Sequence, residues 1–269
     1  MFKTRLLSGI LLVILALITV ISGGTLLFGV LFLISMIGLY ELYRVLKVEN
    51  TLAGICGFLF SAGYYALLYV NSMLPTTINW MMMLFMAFMI CLMMVFVFSF
   101  PKYKGDQIFG VFFGVFYVVV MMSYIYQTRM LPQGVFSVGL VFLCAWGCDT
   151  CAYCVGMLIG KHKMAPKLSP KKSIEGGIGG IVGAGLLAML YALAVNHWAN
   201  VEVSIVAFGI IGVVGGAISQ IGDLAASAIK RNYEIKDYGK LIPGHGGILD
   251  RFDSIIFTAP IIFYLTVLM

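Results

Sequence analysis

The sequence predicts an all-α polytopic membrane protein of about nine transmembrane helices, with a cytoplasmic N-terminus and a C-terminus on the exported side. Three observations predict this class. Of the 269 residues, 62% are hydrophobic and only 10% charged, and the mean hydropathy is +1.05. A soluble domain carries roughly a quarter charged residues, and 11 acidic and 17 basic side chains cannot cover a globule with a polar exterior. Apolar runs matched to a hydrocarbon core of about 30 Å, or about 20 helical residues, recur along the whole chain. Finally, with the N-terminus in the cytoplasm, every Lys and Arg falls on the cytoplasmic side except Arg129. That is the asymmetry of the positive-inside rule, and one helix more or fewer would scramble it.

The first run, about 6 to 22, follows Lys3 and Arg5 and resembles a signal peptide in that respect, but no A-x-A-like site follows it, which favours an uncleaved helix. Ser22, Gly23 and Gly24 break it from the second run, about 25 to 46. There Glu41 and Arg44 read as a helix-end pair. The runs at about 52 to 71, 78 to 99 (with a Met cluster at 81 to 83) and 107 to 127 carry little that could do chemistry. Residues 1–130 are therefore expected to be scaffold. The remaining runs, about 134 to 159, 175 to 196, 202 to 229 and 249 to 268, differ because ionisable residues enter them. Residues 131–269, with cytoplasmic loops 160–174 and 230–249, are expected to be the catalytic region.

The six cysteines all sit inside apolar runs, so they form no disulfide framework, and Cys144, Cys148, Cys151 and Cys154 read as small packing residues rather than zinc ligands. The net charge of +6 is explained by topology in the first half, and no nucleic-acid partner is expected.

Four constellations carry the chemistry. In C-D-T-C-A-Y-C, Asp149 lies near the middle of an apolar run, with Tyr153 one turn on along the same face. A carboxylate at that depth costs about 3 kcal/mol on insertion scales unless it faces a polar cavity or a cation; a helix-to-helix hydrogen bond of the protonated acid is the alternative. In the 161–175 loop, Ser169, Lys171, Lys172 and Ser173 flank a turn at Pro170 and can hold phosphate oxygens, helped by the next helix N-terminus; a loop that only sets orientation or touches headgroups is equally compatible. In Q-I-G-D-L-A-A-S-A-I-K-R, helical spacing puts Asp223, Ser227, Lys230 and Arg231 on one stripe. Snorkelling would explain the cations but not Asp223. In P-G-H-G-G-I-L-D-R-F-D, a turn of Pro243 and glycines runs into a helix that carries Asp250 and Asp253 on one face. Such acids suit Mg²⁺, which takes one or two carboxylates and leaves the remaining positions to water and phosphate; capping would account for one of them. Buried acids, several cations and a glycine-rich turn near one membrane face point to phosphoryl or nucleotidyl transfer to a lipid.

Residues Ser227 to Asp253, S-A-I-K-R-N-Y-E-I-K-D-Y-G-K-L-I-P-G-H-G-G-I-L-D-R-F-D, resemble the signature of the phosphatidate cytidylyltransferase (CDP-diglyceride synthase) family. C-D-T-C-A-Y and K-L-S-P-K-K-S-I-E-G resemble its other polar segments, so the resemblance spans the C-terminal half; the N-terminal half is similar only in being a run of helices. The resemblance implies that CTP and phosphatidate give CDP-diacylglycerol and diphosphate, with Mg²⁺ and a monovalent cation such as K⁺. It also implies a homodimer in the lipid bilayer, in a bacterial cytoplasmic membrane, with a cavity open to the cytoplasm. Asp223 and Asp250 are implied as metal-binding acids and Lys230 as a phosphate-contacting cation, the three forming the catalytic set. Substrate or structural roles are implied for Ser227, Arg231, Lys236, Asp237, His245, Arg251 and Asp253. A phosphate monoester is already anionic, so His245 is not required as a base. A CDP-alcohol phosphotransferase would carry a D-G-x-x-A-R run that is absent here. A transporter of a phosphorylated or cationic solute is the rival of another class, but it commonly shows paired halves, whereas here the ionisable residues crowd into one half.

Overall fold

The computed structural model describes residues 2–71, 74–75, 77–199, 201–242, 244 and 246–269, with side chains from Gly9 onward. Its helices are α1 (Phe2–Ser22), α2 (Gly24–Leu46), α3 (Leu52–Val70), α4 (Trp80–Phe98), α5 (Gly105–Arg129), α6 (Gly134–Ile159), α7 (Ile174–Trp198), α8 (Ile205–Asn232) and α9 (Leu249–Leu268). Among the described residues, α2 to α9 are each long and apolar enough to cross a membrane, and the described part of α1, Gly9–Ser22, is apolar but shorter. The chain is an integral membrane protein.

The helices start where the sequence offers a side-chain acceptor. Thr51 accepts from the Gly54 amide at 3.1 Å, Asn79 from Met82 at 3.0 Å, Ser173 from Gly176 at 3.1 Å and Ser204 from Ala207 at 3.2 Å, each satisfying one of the orphaned donors of a first turn. The break between α1 and α2 falls at Gly23 and Gly24, both at positive φ (62° and 52°), where a side chain would be strained. At that end Arg129 donates to the carbonyls of Val20 (2.9 Å) and Ile21 (3.2 Å), fastening the last turn of α1.

Two helices contain π-helical turns, Val115–Val120 in α5 and Leu143–Gly147 in α6. The second lies just ahead of Asp149, and such turns shift the residues after them around the helix. The tightest packing joins α7, α8 and the second half of α6. A Cβ at Gly212 would press on Ala184 and Ala188, and one at Gly215 on Cys144, so small residues let the backbones approach, as helices in lipid require. Cys144 and Cys148 are buried in this seam, with the Cys148 thiol 3.4 Å from the Gly216 carbonyl. The α9 helix lies against α8 and also against α5 of the first half.

The 161–175 segment departs from the loop expected there. It forms a short antiparallel hairpin, β1 (Lys163–Ala165) with β2 (Ser169–Ser173), pairing Lys163 with Ser173 and Ala165 with Ser169. The Glu175 carboxylate holds its base by accepting from the Lys161 and His162 amides and meeting His162 Nδ1 at 2.5 Å.

Candidate active site

One cavity of about 650 Å³ gathers the charged residues of the second half. From α6 come Asp149 and Tyr153, from β2 Lys171, Lys172 and Ser173, from α8 Asp223 and Lys230, and from the end of the chain Asp237, Asp250, Arg251 and Asp253. Side chains from four separate sequence constellations therefore converge on one space.

Two ion pairs organise it. Lys172, near the end of β2, pairs with Asp223, each about a quarter exposed at the side chain. Lys230 Nζ lies 3.1 Å from Asp250 Oδ1 and 5.4 Å from the centre of the Tyr238 ring. Asp250 is the most heavily engaged acid. Its Oδ2 also accepts from the backbone amides of Tyr238 (2.8 Å) and Gly247 (2.9 Å), and its side chain is 2% exposed. Three charge-assisted bonds compensate the loss of water around it. Asp253, one turn on and also buried, is bonded only to its neighbour's amide, that of Ser254, at 2.9 Å. Asp149, Asp223 and Asp253 lie within electrostatic range of one another, so three acids share a region in which Lys172 is paired to only one of them.

The remaining cations are uncommitted. Among the described residues, Arg251 lines the cavity with its Nε buried and without a hydrogen-bond partner, and Lys171 forms no ion pair. A buried donor of this kind is costly unless an anion or water meets it.

Other residues fall elsewhere. Ser173 lines the cavity, but its hydroxyl is spent on the α7 cap. Arg231 points away and donates to the Leu168 carbonyl at 3.4 Å, tying the end of α8 to the hairpin turn. Ser169, Ser227 and Lys236 are not part of the lining. His245, with Pro243, lies outside the described residues.

The first half lines this space through α1 and braces the segment beside it through α2, neither of which composition revealed. Gly9, Leu12, Val13 and Ala16 of α1, with Trp146, Met157 and Phe252, form an apolar wall facing the charged floor. Glu41 and Arg44 are not the expected pair with each other. Glu41 accepts from the amides of Ile248 and Leu249, and Arg44 donates to the Tyr238 carbonyl. Gln220 is a further lining residue missed in the sequence, its amide donating to the Gly177 carbonyl at 2.7 Å.

A cavity with a mixed acidic and basic floor and an apolar wall suits a phosphorylated amphiphile. The family model described as the cytidylyltransferase family matches residues 3–269. The chain belongs to that family. Similar proteins include a phosphatidate cytidylyltransferase of Staphylococcus epidermidis, 32% identical over 266 residues and 97% of each chain. That of Bacillus subtilis is 31% identical over 274 residues, 99% of this chain and 98% of its own. In a Staphylococcus aureus relative of the same name, identity is 42% over 148 residues, 54% of each chain.

Cytidylyl transfer is commonly metal-assisted, and the floor fits a hard cation. Its uncommitted donors are carboxylate oxygens, and no cluster of three or more metal-ligating side chains stands close enough among the described residues to enclose an ion by itself. Mg²⁺ needs no such enclosure, because one or two carboxylates suffice when phosphates and water fill the other positions.

Proposed function

We propose that this cytidylyltransferase makes CDP-diacylglycerol and diphosphate from CTP and phosphatidate, at the cavity floored by Asp223, Lys230, Asp250 and Asp253. The observation that carries the reading is the presence in one cavity of a half-buried Arg251, whose buried Nε has no hydrogen-bond partner among the described residues, and of an apolar wall on α1. A lipid bearing a phosphate monoester satisfies both at once. The names of the relatives support the same substrate.

In the reaction a phosphate oxygen of phosphatidate attacks the α-phosphorus of CTP in line. The new P–O bond forms as the bond between the α-phosphorus and the bridging oxygen of the β-phosphate breaks, and diphosphate leaves with that electron pair. The attacking monoester is already anionic, so no general base is drawn. Lys171, Lys172, Lys230 and Arg251 neutralise phosphate charge, which is where most of the catalytic stabilisation of phosphoryl transfer lies. When bound, Mg²⁺ supplies Lewis-acid stabilisation of the phosphate oxygens. Asp223, Asp250 and Asp253 would hold it, with Lys230 beside Asp250 directed to phosphate charge. Asp149 and Tyr153 line the membrane side of the substrate space, and Asp237 its mouth.

The positive-inside distribution of Lys and Arg supports an N-terminus, a hairpin and a cavity mouth on the cytoplasmic side of a bacterial inner membrane. The same placement puts Arg129 and the C-terminus on the exported side.

The test is conversion of labelled CTP to a lipid-extractable product by the purified protein in the presence of phosphatidate and Mg²⁺. Label in the lipid phase that requires both additions is the expected result. No product from folded protein with several lipid acceptors would refute the assignment and return transport to contention.

A further inference from the structure

Glu41 and Arg44 stand about one turn apart on α2, outside the cavity lining, and take no part in the transfer itself. Glu41 is nevertheless 4% exposed, its carboxylate buried against the backbone of the 238–249 segment. Its Oε1 accepts from Ile248 N–H at 3.1 Å and its Oε2 from Leu249 N–H at 2.9 Å. Arg44 Nη2 donates to the Tyr238 carbonyl at 2.6 Å. The segment from Tyr238 to Leu249 is therefore gripped near both of its ends by one helix of the opposite half of the chain.

That segment is also what holds Asp250. The peptide unit at Tyr238 presents its carbonyl to Arg44 and its N–H to Asp250, while successive amides at Gly247, Ile248 and Leu249 divide between Asp250 and Glu41. An ordinary cap explains part of this, because α9 has no side-chain cap of its own and a carboxylate is favourable at a helix N-terminus. Capping does not explain the Arg44 bond to the far end of the segment. Nor does it explain Gly239 and Gly247, both of which bring their Cα so close that an added Cβ would collide with the Glu41 carboxylate.

We propose that Glu41 and Arg44 are positioning residues, which set the place of the Asp250 carboxylate, and through it the Lys230 ammonium, by clasping the 238–249 segment. The proposal rests on the cavity being the catalytic site. Removing partners that orient a functional carboxylate costs about 10- to 100-fold in activity or metal affinity, and the same order is expected here.

The experiment uses the full chain in lipid nanodiscs, with Glu41→Gln and Arg44→Gln as variants and Ser35→Ala as control. Glu41→Gln keeps the volume but turns an NH₂ group towards one of two amide donors. Ser35→Ala deletes a buried hydrogen bond, 2.8 Å to Tyr65, on the same helix. Two quantities are read, turnover against KM for CTP and amide hydrogen exchange along the chain. Both glutamine variants are expected to speed exchange in residues 238–250 while α3 and α4 keep theirs, and to lower turnover about 10- to 100-fold with KM for CTP moving much less. The control keeps turnover and the exchange of 238–250. Parent-like turnover and exchange in folded variants would overturn the proposal, as would faster exchange spread evenly over all helices. Failure of both variants to fold would overturn it too, by making the pair a folding requirement. An inactive parent chain would instead sink the catalytic reading, with the exchange data still reporting whether the clasp exists.

Discussion

Replacing Asp250 by asparagine separates folding from chemistry. The amide oxygen can take the place of Oδ2 and keep the bonds from Tyr238 and Gly247, at 2.8 and 2.9 Å. Its NH₂ group then faces Lys230 Nζ across the 3.1 Å now spanned by the ion pair, donor against donor. The folded state loses one hydrogen bond between charged groups, about 1.5–3 kcal/mol, and Lys230, 14% exposed at the side chain, can turn towards the cavity and recover part of it. Turnover loses more, because the charge that orients Lys230 and meets a cation is gone. A preorganised electrostatic contact is worth about 3–4 kcal/mol in a transition state, which is a factor of about 10²–10³. The assay is lipid-phase label from CTP, read beside size-exclusion behaviour in detergent. A folded variant within about tenfold of the parent, a difference of about 1.4 kcal/mol, would refute the role of this carboxylate.

Substitutions at three further positions follow from the same geometry. Lys230→Met strands a buried Asp250, and breaking a buried pair costs about 3–5 kcal/mol; the two amide donors that remain put the loss at the lower end, so thermal unfolding should come earlier and turnover should fall, with Lys230→Arg recovering stability better than activity. Ala16→Phe thickens the apolar wall of α1 and should raise KM for phosphatidate by about tenfold, matching an overpacking cost of about 1–3 kcal/mol, while KM for CTP stays as it was; an equal rise for both substrates would remove α1 from the lipid side. Arg231→Ala releases the hairpin turn at Leu168 and should increase tryptic cleavage after Lys163 or Lys167, with an unchanged cleavage rate showing that the hairpin stands without it.

The helices were legible because hydrocarbon imposes one requirement, a long apolar run, and their observed ends fall within a few residues of those the runs indicate, as at α6 (Gly134–Ile159) and α9 (Leu249–Leu268). Asp149, Asp223 and Asp250 stood out for the same reason, since an acid in such a run has a cost that something must offset. The hairpin at 163–173 was not legible, because K-M-A and S-P-K-K-S have no apolar alternation and pair through backbone. The wall on α1 was hidden because an apolar residue facing a cavity and one facing the bilayer look the same in the sequence. Glu41 misled for a third reason. Its partners lie 207 and 208 residues away, and local spacing offered Arg44 as the nearer answer.

The slender attachment of α1 bears on how a water-insoluble molecule is handled. This helix packs chiefly on α2 and the start of α6, is pinned at its far end by Arg129, and supplies Gly9, Leu12, Val13 and Ala16 to the apolar wall opposite the charged floor. Lifting a lipid into water costs about 0.8 kcal/mol for every methylene exposed, more than 10 kcal/mol for a chain of about 16 carbons. On the proposed reading, a wall one helix thick would let the tails remain among their neighbours while only the headgroup reaches the charged side. The enzyme can then change what a lipid carries without moving the lipid out of the sheet it helps to form.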